Sequence, residues 1–267
     1  MHFLASKTVS IIVDLFKFMV KAFLPDLTGF LKFVPNFNIK MTKGDVDMNE
    51  DRYDYSKIDS IFFKYANLKE DKHLCGEGGR IGPNGMQKLL DDIKVSSESV
   101  NALILAWKFG ASIQCEFSQE EFRHGFRTLG VATITQLKNK ATKFLEEFRD
   151  REKLTAFYRF TFVYAKSASS RHLDVDTAIT YWKLVLDRFF SNERDNRLQM
   201  WYMFLKFHNI QQISQDTWNL MLPFLWESNP ELTNYDFETG PWPVLIDDYV
   251  QYCQIYSSNN ENAMELA

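Results

Sequence analysis

The sequence predicts an all-α, multi-helix fold with no sheet of consequence. Apolar residues recur at the helical spacing i, i+3, i+4, i+7 through most of the chain. The 267 residues include only 11 Gly and 7 Pro, so turns are few and long helices are favoured. No segment alternates apolar and polar residues with the period of two that marks a half-buried strand. A chain of this length can bury a substantial core in one large domain or two small ones.

The first four helices are placed by their apolar faces and by one N-cap. Asn67 to Gly79 is a glycine-rich loop between the first and second helices. Ser118 and Glu121 have the spacing of a capping box, which starts the fourth helix. The apolar faces of the first three helices are Ile58, Ile61, Phe62 and Tyr65, then Met86, Leu89, Leu90 and Ile93, and then Val100, Leu103, Ile104 and Trp107.

Further helices follow from Ile134 onward. Asp174 and Ser214 can cap two of them, and Pro243 suits the first position of the last. Their apolar faces are Ile134, Leu137, Ala141, Phe144 and Phe148, then Leu154, Phe157, Tyr158, Thr161 and Phe162, then Ala178, Ile179, Trp182, Val185 and Leu186, then Leu198, Trp201, Tyr202 and Leu205, then Trp218, Met221 and Leu222, and then Ile246, Tyr249, Val250 and Cys253.

The paired short helices over residues 56–94 and 97–128 predict an EF-hand-like N-terminal half. A calcium loop needs oxygen ligands at positions 1, 3 and 5 and a bidentate Glu at position 12. With Ile81 at position 8, these positions fall on Leu74, Gly76, Gly78 and Gly85. With Phe117 at position 8, they fall on Gly110, Ser112, Gln114 and Glu121. Neither loop supplies enough oxygen charge to hold calcium, and we predict no metal and no cofactor.

The chain divides into four predicted parts: an amphipathic N-terminal segment (1–35), a polar linker (36–54), the helical domain (55–256) and a disordered tail (257–267). Charges interrupt the apolar stretch from Phe3 to Leu24, so its uncharged runs are far shorter than the roughly 20 residues of a membrane span. One helix with a narrow polar stripe and a wide apolar face fits residues 3–24. That face either packs on the rest of the protein or lies on a membrane surface.

Composition excludes several classes of protein. The formal net charge is −4 and the pI is near 5.8, which argues against a nucleic-acid partner. Cys75, Cys115 and Cys253 are too few and too scattered for a disulfide framework or a zinc site, so the cytosol or nucleus is expected. No catalytic grouping of Ser, His, Asp or Cys can be proposed from spacing, and an enzyme with its own active site is not expected.

Charge is distributed unevenly along the chain. Residues 209–267 hold nine Asp or Glu and no Lys, Arg or His. Residues 1–208 therefore hold all 31 Lys and Arg and 26 of the 35 acids, a net charge of +5. The acidic segment also carries bulky apolar residues at helical spacing, which suits a folded face that receives a basic partner. A solvated acidic surface without a partner is the alternative.

Two groups of motifs follow one another along the helical domain. The first is Ala106-Trp107-Lys108-Phe109 with Gln114-Cys115-Glu116-Phe117-Ser118. The second is Asp216-Thr217-Trp218-Asn219, Asn234-Tyr235-Asp236 and Trp242-Pro243-Val244-Leu245-Ile246-Asp247-Asp248. Over roughly residues 56–255 the chain resembles the potentiating-neddylation (PONY, or DCUN1-type) domain of the defective-in-cullin-neddylation protein family.

The resemblance implies a scaffold-type ligase co-factor. Such a protein holds a cullin, at its C-terminal winged-helix region, beside the N-acetylated conjugating enzyme of neddylation. It needs no catalytic residue, because tethering raises effective concentration and orientation lowers the entropic part of the barrier. The ubiquitin-like modifier and the cullin-associated RING subunit are further implied partners. The alternative is a membrane-associated helical scaffold that binds and localises cullins without strongly stimulating transfer.

Two sites carry over by the same resemblance. The cullin-binding patch falls on Asp216, Pro241 and Asp247. Family members usually have Gly-Ala-Trp-Pro where this chain has Gly240-Pro241-Trp242-Pro243, so cullin affinity or preference is expected to differ. The pocket for the acetylated methionine falls on Pro83, Met86, Ala102, Leu103, Leu105, Ala106, Phe109, Gln114, Cys115, Phe117, Tyr164, Tyr181 and Leu184. Taken without the family, these pocket positions are typical of core residues.

Overall fold

The computed structural model describes residues 54–71, 79–167, 169–191, 195–238 and 240–265. From Ser56 onward the described residues belong to one compact unit. The predicted amphipathic segment, and the polar linker except Asp54, lie outside the described residues. Among the helices that are described, none is long and apolar enough to cross a membrane.

The all-α prediction is confirmed. Two short 3₁₀ segments, Lys69–Asp71 and Phe144–Arg149, accompany the α-helices. The α-helices are α1 (Tyr55–Ala66), α2 (Pro83–Ile93), α3 (Val100–Phe109), α4 (Gln119–Leu129), α5 (Ile134–Ala141), α6 (Arg151–Ala165), α7 (Val175–Val185), α8 (Asp187–Phe190), α9 (Arg197–Phe207), α10 (Gln215–Glu227) and α11 (Val244–Glu265).

Two boundaries differ from the sequence prediction. The apolar stripe from Ile134 to Phe148 is not one helix, since α5 ends at Ala141 and a 3₁₀ segment carries its last two positions. At the C-terminus, α11 runs to Glu265, so the backbone is helical beyond Ser257, where disorder was predicted. No Gly or Pro lies between Val244 and Glu265 to end that helix, and Ala263, Met264 and Glu265 are good helix formers.

Two pairs of very short antiparallel strands join the helices. The strand β1 (Arg80–Ile81) pairs with β2 (Phe117–Ser118), with Ile81 opposite Phe117. The strand β3 (His172–Asp174) pairs with β4 (Gln212–Ser214), with Leu173 opposite Ile213. Three of the strands run directly into a helix and β1 does so after Gly82, so each pairing sets two helix starts side by side. Strands of two or three residues are too short to show the period-two pattern that would predict them.

Side chains cap the helices where the sequence predicted. The Glu121 amide donates to Ser118 Oγ at 3.1 Å and the Ser118 amide donates to Glu121 Oε2 at 2.6 Å, which confirms the capping box of α4. Asp174 accepts from the amides of Asp176 and Thr177 at the start of α7. These bonds satisfy amides that a helix start otherwise leaves unpaired.

An aromatic stack fills the core between α6, α7 and α10. Tyr158 stacks on Trp218 with ring centroids 4.8 Å apart, and Trp182 stacks on the same indole at 5.0 Å. The buried polar atoms are paired: Trp182 Nε1 donates to the Tyr158 hydroxyl at 2.7 Å, and that hydroxyl donates to the Trp218 carbonyl at 2.8 Å. This network fixes the three helices in one arrangement, because its geometry is specific and its burial makes an unpaired group costly.

A buried arginine fixes α9, α10 and α11 in turn. Arg197 pairs with Asp195 at 2.7 Å and donates to the carbonyls of Leu225 at 3.0 Å and Ser228 at 2.6 Å. Its own carbonyl accepts from the Tyr249 hydroxyl at 2.7 Å. One residue at the start of α9 therefore holds the end of α10 and the first part of α11.

Candidate functional site

The first candidate site is an apolar cluster around the loop that follows α3. Its residues come from α2, α3, β2, α6 and α7 and from the loop itself, and they divide by exposure. Buried members are Met86, Leu103, Leu105, Ala106, Phe109 and Phe117. Half-buried members are Pro83, Ala102, Gln114, Cys115, Tyr164, Tyr181 and Leu184. The half-buried members are partly exposed to solvent, and the buried members are not.

Long-range bonds close this cluster between the loop and α6. Gln114 Nε2 donates to the Tyr164 carbonyl at 2.6 Å, and the Cys115 amide donates to the Tyr164 hydroxyl at 3.3 Å. Cys115 has a φ of +61°, which is uncommon for a residue with a side chain. Beneath them Phe109 and Phe117 pack with ring centroids 4.8 Å apart. The loop is thus fastened to α6 by its polar groups.

The polar groups of this cluster are uncharged at neutral pH. Burial, with a smaller contribution from Glu116, raises the pKa of the Cys115 thiol to about 11. Burial also raises the pKa of Tyr164 and of Tyr181 well above that of a free tyrosine. Burial penalises the charged form of each group, so thiol and hydroxyls keep their protons. An apolar site with a few neutral polar atoms is suited to an uncharged ligand.

Contacts in the structure connect some of the predicted pocket residues directly and others only through the helix or strand that carries them. Gln114, Cys115 and Tyr164 are joined by hydrogen bonds, and Tyr181 lies close enough to Cys115 for the thiol to contribute to its raised pKa. Pro83 begins α2 two residues after Ile81, whose partner across the strand pair is Phe117. The remaining members lie on these same helices: Met86, Ala102, Leu103, Leu105, Ala106 and Leu184.

The second candidate site lies at the start of α11. The Tyr235 hydroxyl donates to Asp247 Oδ1 at 2.6 Å, which holds this half-buried carboxylate in one orientation. Tyr235 in turn packs on Trp242 and on Phe224 of α10, with centroids 6.3 and 5.9 Å apart. Burial and the Asp247 hydrogen bond raise the pKa of Tyr235, so its hydroxyl keeps the proton that it donates.

The turn before α11 depends on a close approach at Gly240. A Cβ there would lie 2.6 Å from the Asp236 carbonyl oxygen and 2.5 Å from the Trp242 ring, and no real Cβ makes such contacts. The turn packs closely and leaves Pro241 exposed beside the half-buried Trp242. The exposed proline lacks an amide donor that another residue would offer to a partner.

Asp216 is exposed in the first turn of α10, where the N-terminal end of the helix dipole favours an acid. It precedes Phe224 by eight residues, about 12 Å along the helix axis at 1.5 Å per residue. The structure therefore brings Pro241 and Asp247 to one end of α10 and places Asp216 two turns away. Tyr235, which orients Asp247, lies in the Asn234-Tyr235-Asp236 motif but is not among the predicted site residues.

Metal binding is not indicated in the described ranges, where no group of three or more His, Cys, Asp or Glu is placed to hold an ion. The first of the two loops considered for calcium lies largely outside these ranges, at residues 72–78. In the second, Glu121 accepts from the Ser112 amide and hydroxyl and from the Ser118 amide. The Glu121 carboxylate is thus occupied by hydrogen bonds from the loop itself.

Comparison with known proteins assigns the chain to a family. A family model described as Cullin binding matches residues 136–252. "Defective in cullin neddylation protein 1" of Caenorhabditis elegans is 35% identical over 223 residues, which cover 75% of this chain and 72% of that protein. The chain belongs to the defective-in-cullin-neddylation family. The matched range runs from α5 into α11 and contains Asp216, Pro241 and Asp247.

Two further relatives of the family are longer than the part that they share with this chain. "DCN1-like protein 3" of Xenopus laevis is 32% identical over 200 residues, 73% of this chain and 62% of that protein. "DCN1-like protein 3" of Homo sapiens is 30% identical over 208 residues, 76% of this chain and 64% of that protein. The chain thus spans just under two thirds of these two relatives.

Proposed function

We propose that the protein is a non-catalytic co-factor of cullin neddylation that bridges an N-acetylated conjugating enzyme and the C-terminal winged-helix region of a cullin. The observation that carries the proposal is the presence of two chemically different surfaces on one helical unit of this family. One is a half-buried apolar cluster without charge, and the other belongs to a segment without cations. A bridge between two dissimilar partners needs two such surfaces.

The cluster around Cys115 suits an acetylated N-terminus. Acetylation removes the ammonium charge, which would be costly to bury among neutral groups. An acetylated methionine then offers an apolar side chain and one amide, and the rim offers the Gln114 side chain. The pKa values of Cys115, Tyr164 and Tyr181 are all raised, so none of these three groups is an anion that would favour the free ammonium.

The acidic segment suits a basic cullin surface. Residues 209–267 carry no Lys, Arg or His, so nothing within the segment neutralises Asp216 or Asp247. The Tyr235 bond holds Asp247 in place before a partner arrives, which lowers the entropy lost on binding. Such charges favour the association rate and the register of the complex more than affinity itself. The exposed Pro241 modifies this surface and changes which cullins bind best.

Bridging accelerates transfer without a catalytic residue in this chain. Holding the conjugating enzyme and the cullin together replaces an encounter by an intramolecular step. Fixing the thioester beside the acceptor lysine removes further entropy from the barrier. The modifier and the RING subunit would then be contacted within the same assembly, in the cytoplasm or nucleus.

The test is a titration of the full chain with two peptides from the conjugating enzyme, one N-acetylated and one with a free amine. We expect binding of the acetylated peptide and at least tenfold weaker binding of the other. Ala102→Trp fills the half-buried rim and should abolish binding. Ala132→Trp, the same substitution at an exposed alanine before α5, should not. Equal binding of both peptides, or of neither, would refute the pocket.

Membrane association remains a prediction, because residues 3–24 lie outside the described residues. Deleting residues 1–24 and finding the same distribution in cell fractionation would refute it.

A further inference from the structure

Two exposed apolar side chains, Phe237 and Val244, border Asp247 at the start of α11. Phe237, in the loop between α10 and α11, is 41% exposed, and Val244, the first residue of α11, is 72% exposed. Neither belongs to the buried core. Single exposed apolar residues are common on protein surfaces, so what distinguishes these two is their position beside a carboxylate.

Tyr235 connects Phe237 to Asp247. Its ring meets the Phe237 ring edge to face, with centroids 4.8 Å apart, and its hydroxyl donates to Asp247 Oδ1 at 2.6 Å. The exposed phenylalanine and the half-buried carboxylate thus contact the same side chain. The Tyr235 ring also stacks on Trp242 at 6.3 Å, so packing on two rings holds it in place.

Val244 is brought to Asp247 by the helix itself. It precedes Asp247 by three residues and Asp248 by four, so the three side chains lie on one face of α11. The other face of this part of the helix carries buried residues, namely Ile246, Tyr249 and Val250. The Asp247 carboxylate therefore has Val244 beside it on the helix and Phe237 beside the tyrosine that orients it.

Hydrogen bonds fix the loop that carries Phe237. The Asn229 amide donates to Asn234 Oδ1 at 2.8 Å, which closes the first part of the loop. The Glu238 amide donates to Asp236 Oδ1 at 2.8 Å, directly around Phe237. The phenylalanine is thus held at a defined position, which lowers the entropy lost when a partner packs on it.

The charge next to these apolar side chains is negative. Glu238 is exposed next to Phe237 in the sequence, and Asp248 is exposed on α11. Within the described part of the chain, neither of these acids nor Asp247 takes part in an ion pair. A carboxylate with apolar neighbours is suited to a lysine or arginine, whose aliphatic stem packs on apolar surface while its charged head meets the acid. An aromatic ring adds its own attraction for a cation.

We propose that Phe237 and Val244 receive the aliphatic stem of the cullin lysine or arginine whose charged head meets Asp247, and that Phe237 helps to determine which cullins bind best. This inference rests on the proposed function. The range that matches the Cullin binding family model, residues 136–252, contains both apolar side chains. The stems of lysine and arginine differ in length and shape. Contact with Phe237 therefore discriminates between cullins that differ at this position.

The test measures the affinity of the full chain for the isolated winged-helix regions of a panel of cullins. Phe237→Gln should weaken binding to the preferred cullin about tenfold and change the order of the panel, because apolar contact is lost. Phe237→Leu keeps an apolar side chain and should lose less. Phe63→Gln is the matched control, since Phe63 on α1 is 40% exposed and also meets a neighbouring ring edge to face, at 5.4 Å. It should bind every cullin as the unaltered chain does, and melting temperatures check that each variant folds.

A double variant tests whether Phe237 and Asp247 act on the same side chain of the partner. Asp247→Asn alone should weaken binding and reduce its dependence on salt. If one basic side chain contacts both residues, the loss caused by Phe237→Gln should be about threefold smaller, or less still, when Asp247 is already Asn. Losses that simply multiply would overturn the inference, because the two residues would then act independently.

The remaining outcomes separate the two proposals. If the unaltered chain binds no cullin of the panel, the proposed function fails, and this inference fails with it. If Asp247→Asn weakens binding and Phe237→Gln does not, the function stands and Phe237 has no part in docking. If Phe237→Gln and Phe63→Gln weaken binding equally, the effect is not local to Asp247 and the inference is overturned. It is also overturned if Phe237→Gln abolishes self-association in sedimentation velocity at unchanged cullin affinity, since the occupant is then a second copy of this chain.

Discussion

Replacing Arg197 by Met tests how the three C-terminal helices are held. The Arg197 and Asp195 side chains are only 6% and 9% exposed. The substitution keeps the apolar stem and removes the donors to Asp195, to the Leu225 carbonyl and to Ser228. Asp195 is then a buried carboxylate without its cation. We expect a loss of about 3–5 kcal/mol in the free energy of unfolding, the range typical of a broken buried pair.

A second substitution separates the buried charge from the lost carbonyl bonds. Asp195→Leu combined with Arg197→Met removes the uncompensated carboxylate as well. We expect this double variant to be more stable than Arg197→Met alone, because an apolar pair of similar volume replaces a buried charge. It should remain less stable than the unaltered chain, since the carbonyls of Leu225 and Ser228 still lack their donor.

The assay is urea unfolding followed by tryptophan fluorescence, with the slope m checked for each variant. Arg123→Met is the matched control, because Arg123 pairs with Asp59 at a site where the two side chains are 36% and 21% exposed. A pair of that exposure contributes about 1 kcal/mol or less. Equal losses for Arg197→Met and Arg123→Met would refute the anchoring role. A double variant no better than Arg197→Met would show that the buried charge is not the cause.

Three further predictions concern local features. Ser118→Ala should cost about 1 kcal/mol in unfolding free energy and Ser118→Gly only a few tenths, because Gly tolerates an uncapped start; equal losses would contradict the capping box. Gly125→Ala places a Cβ 2.2 Å from the Phe109 ring. Overpacking should then lower the free energy of unfolding by about 1–3 kcal/mol and weaken binding of the acetylated peptide; unchanged affinity and stability would refute this. The Cys115 pKa, raised to about 11 from 9.0, should slow alkylation at pH 8 about 100-fold against the urea-unfolded chain, as followed by mass spectrometry; equal rates would contradict burial.

Prediction succeeded where the signal is local. The buried side of α6 is the predicted face of Leu154, Phe157, Tyr158 and Phe162. It could be predicted because a period of 3.6 residues is visible within a short stretch of sequence. The capping box at Ser118 was equally visible, since both of its partners lie within one turn. The candidate site residues stay a prediction, which depends on the order of motifs along the chain and not on any single spacing.

Prediction fell short where distant segments meet. The hydrogen bond from Gln114 to the Tyr164 carbonyl joins residues 50 positions apart, and no pattern in either segment predicts contact with the other. The role of Arg197 could not be predicted either, because its position in the sequence is that of an ordinary residue at the start of a helix. Phe207 is exposed, although a phenylalanine in a helix is usually buried. The position of α11 determines which face of α9 stays exposed to solvent.

The sequence by itself determined the all-α class, most helix positions, the caps and the cation-free C-terminal segment. Each of these depends on composition or on residues within two helical turns, where backbone geometry relates spacing to contact directly. Three features depended on the tertiary structure alone. The short strands bring particular helix starts together, Tyr235 orients Asp247, and aromatic side chains of α9 and α11 meet at the surface. These depend on contacts between segments distant in sequence, and the path of the chain that brings them together is set by packing of the whole core.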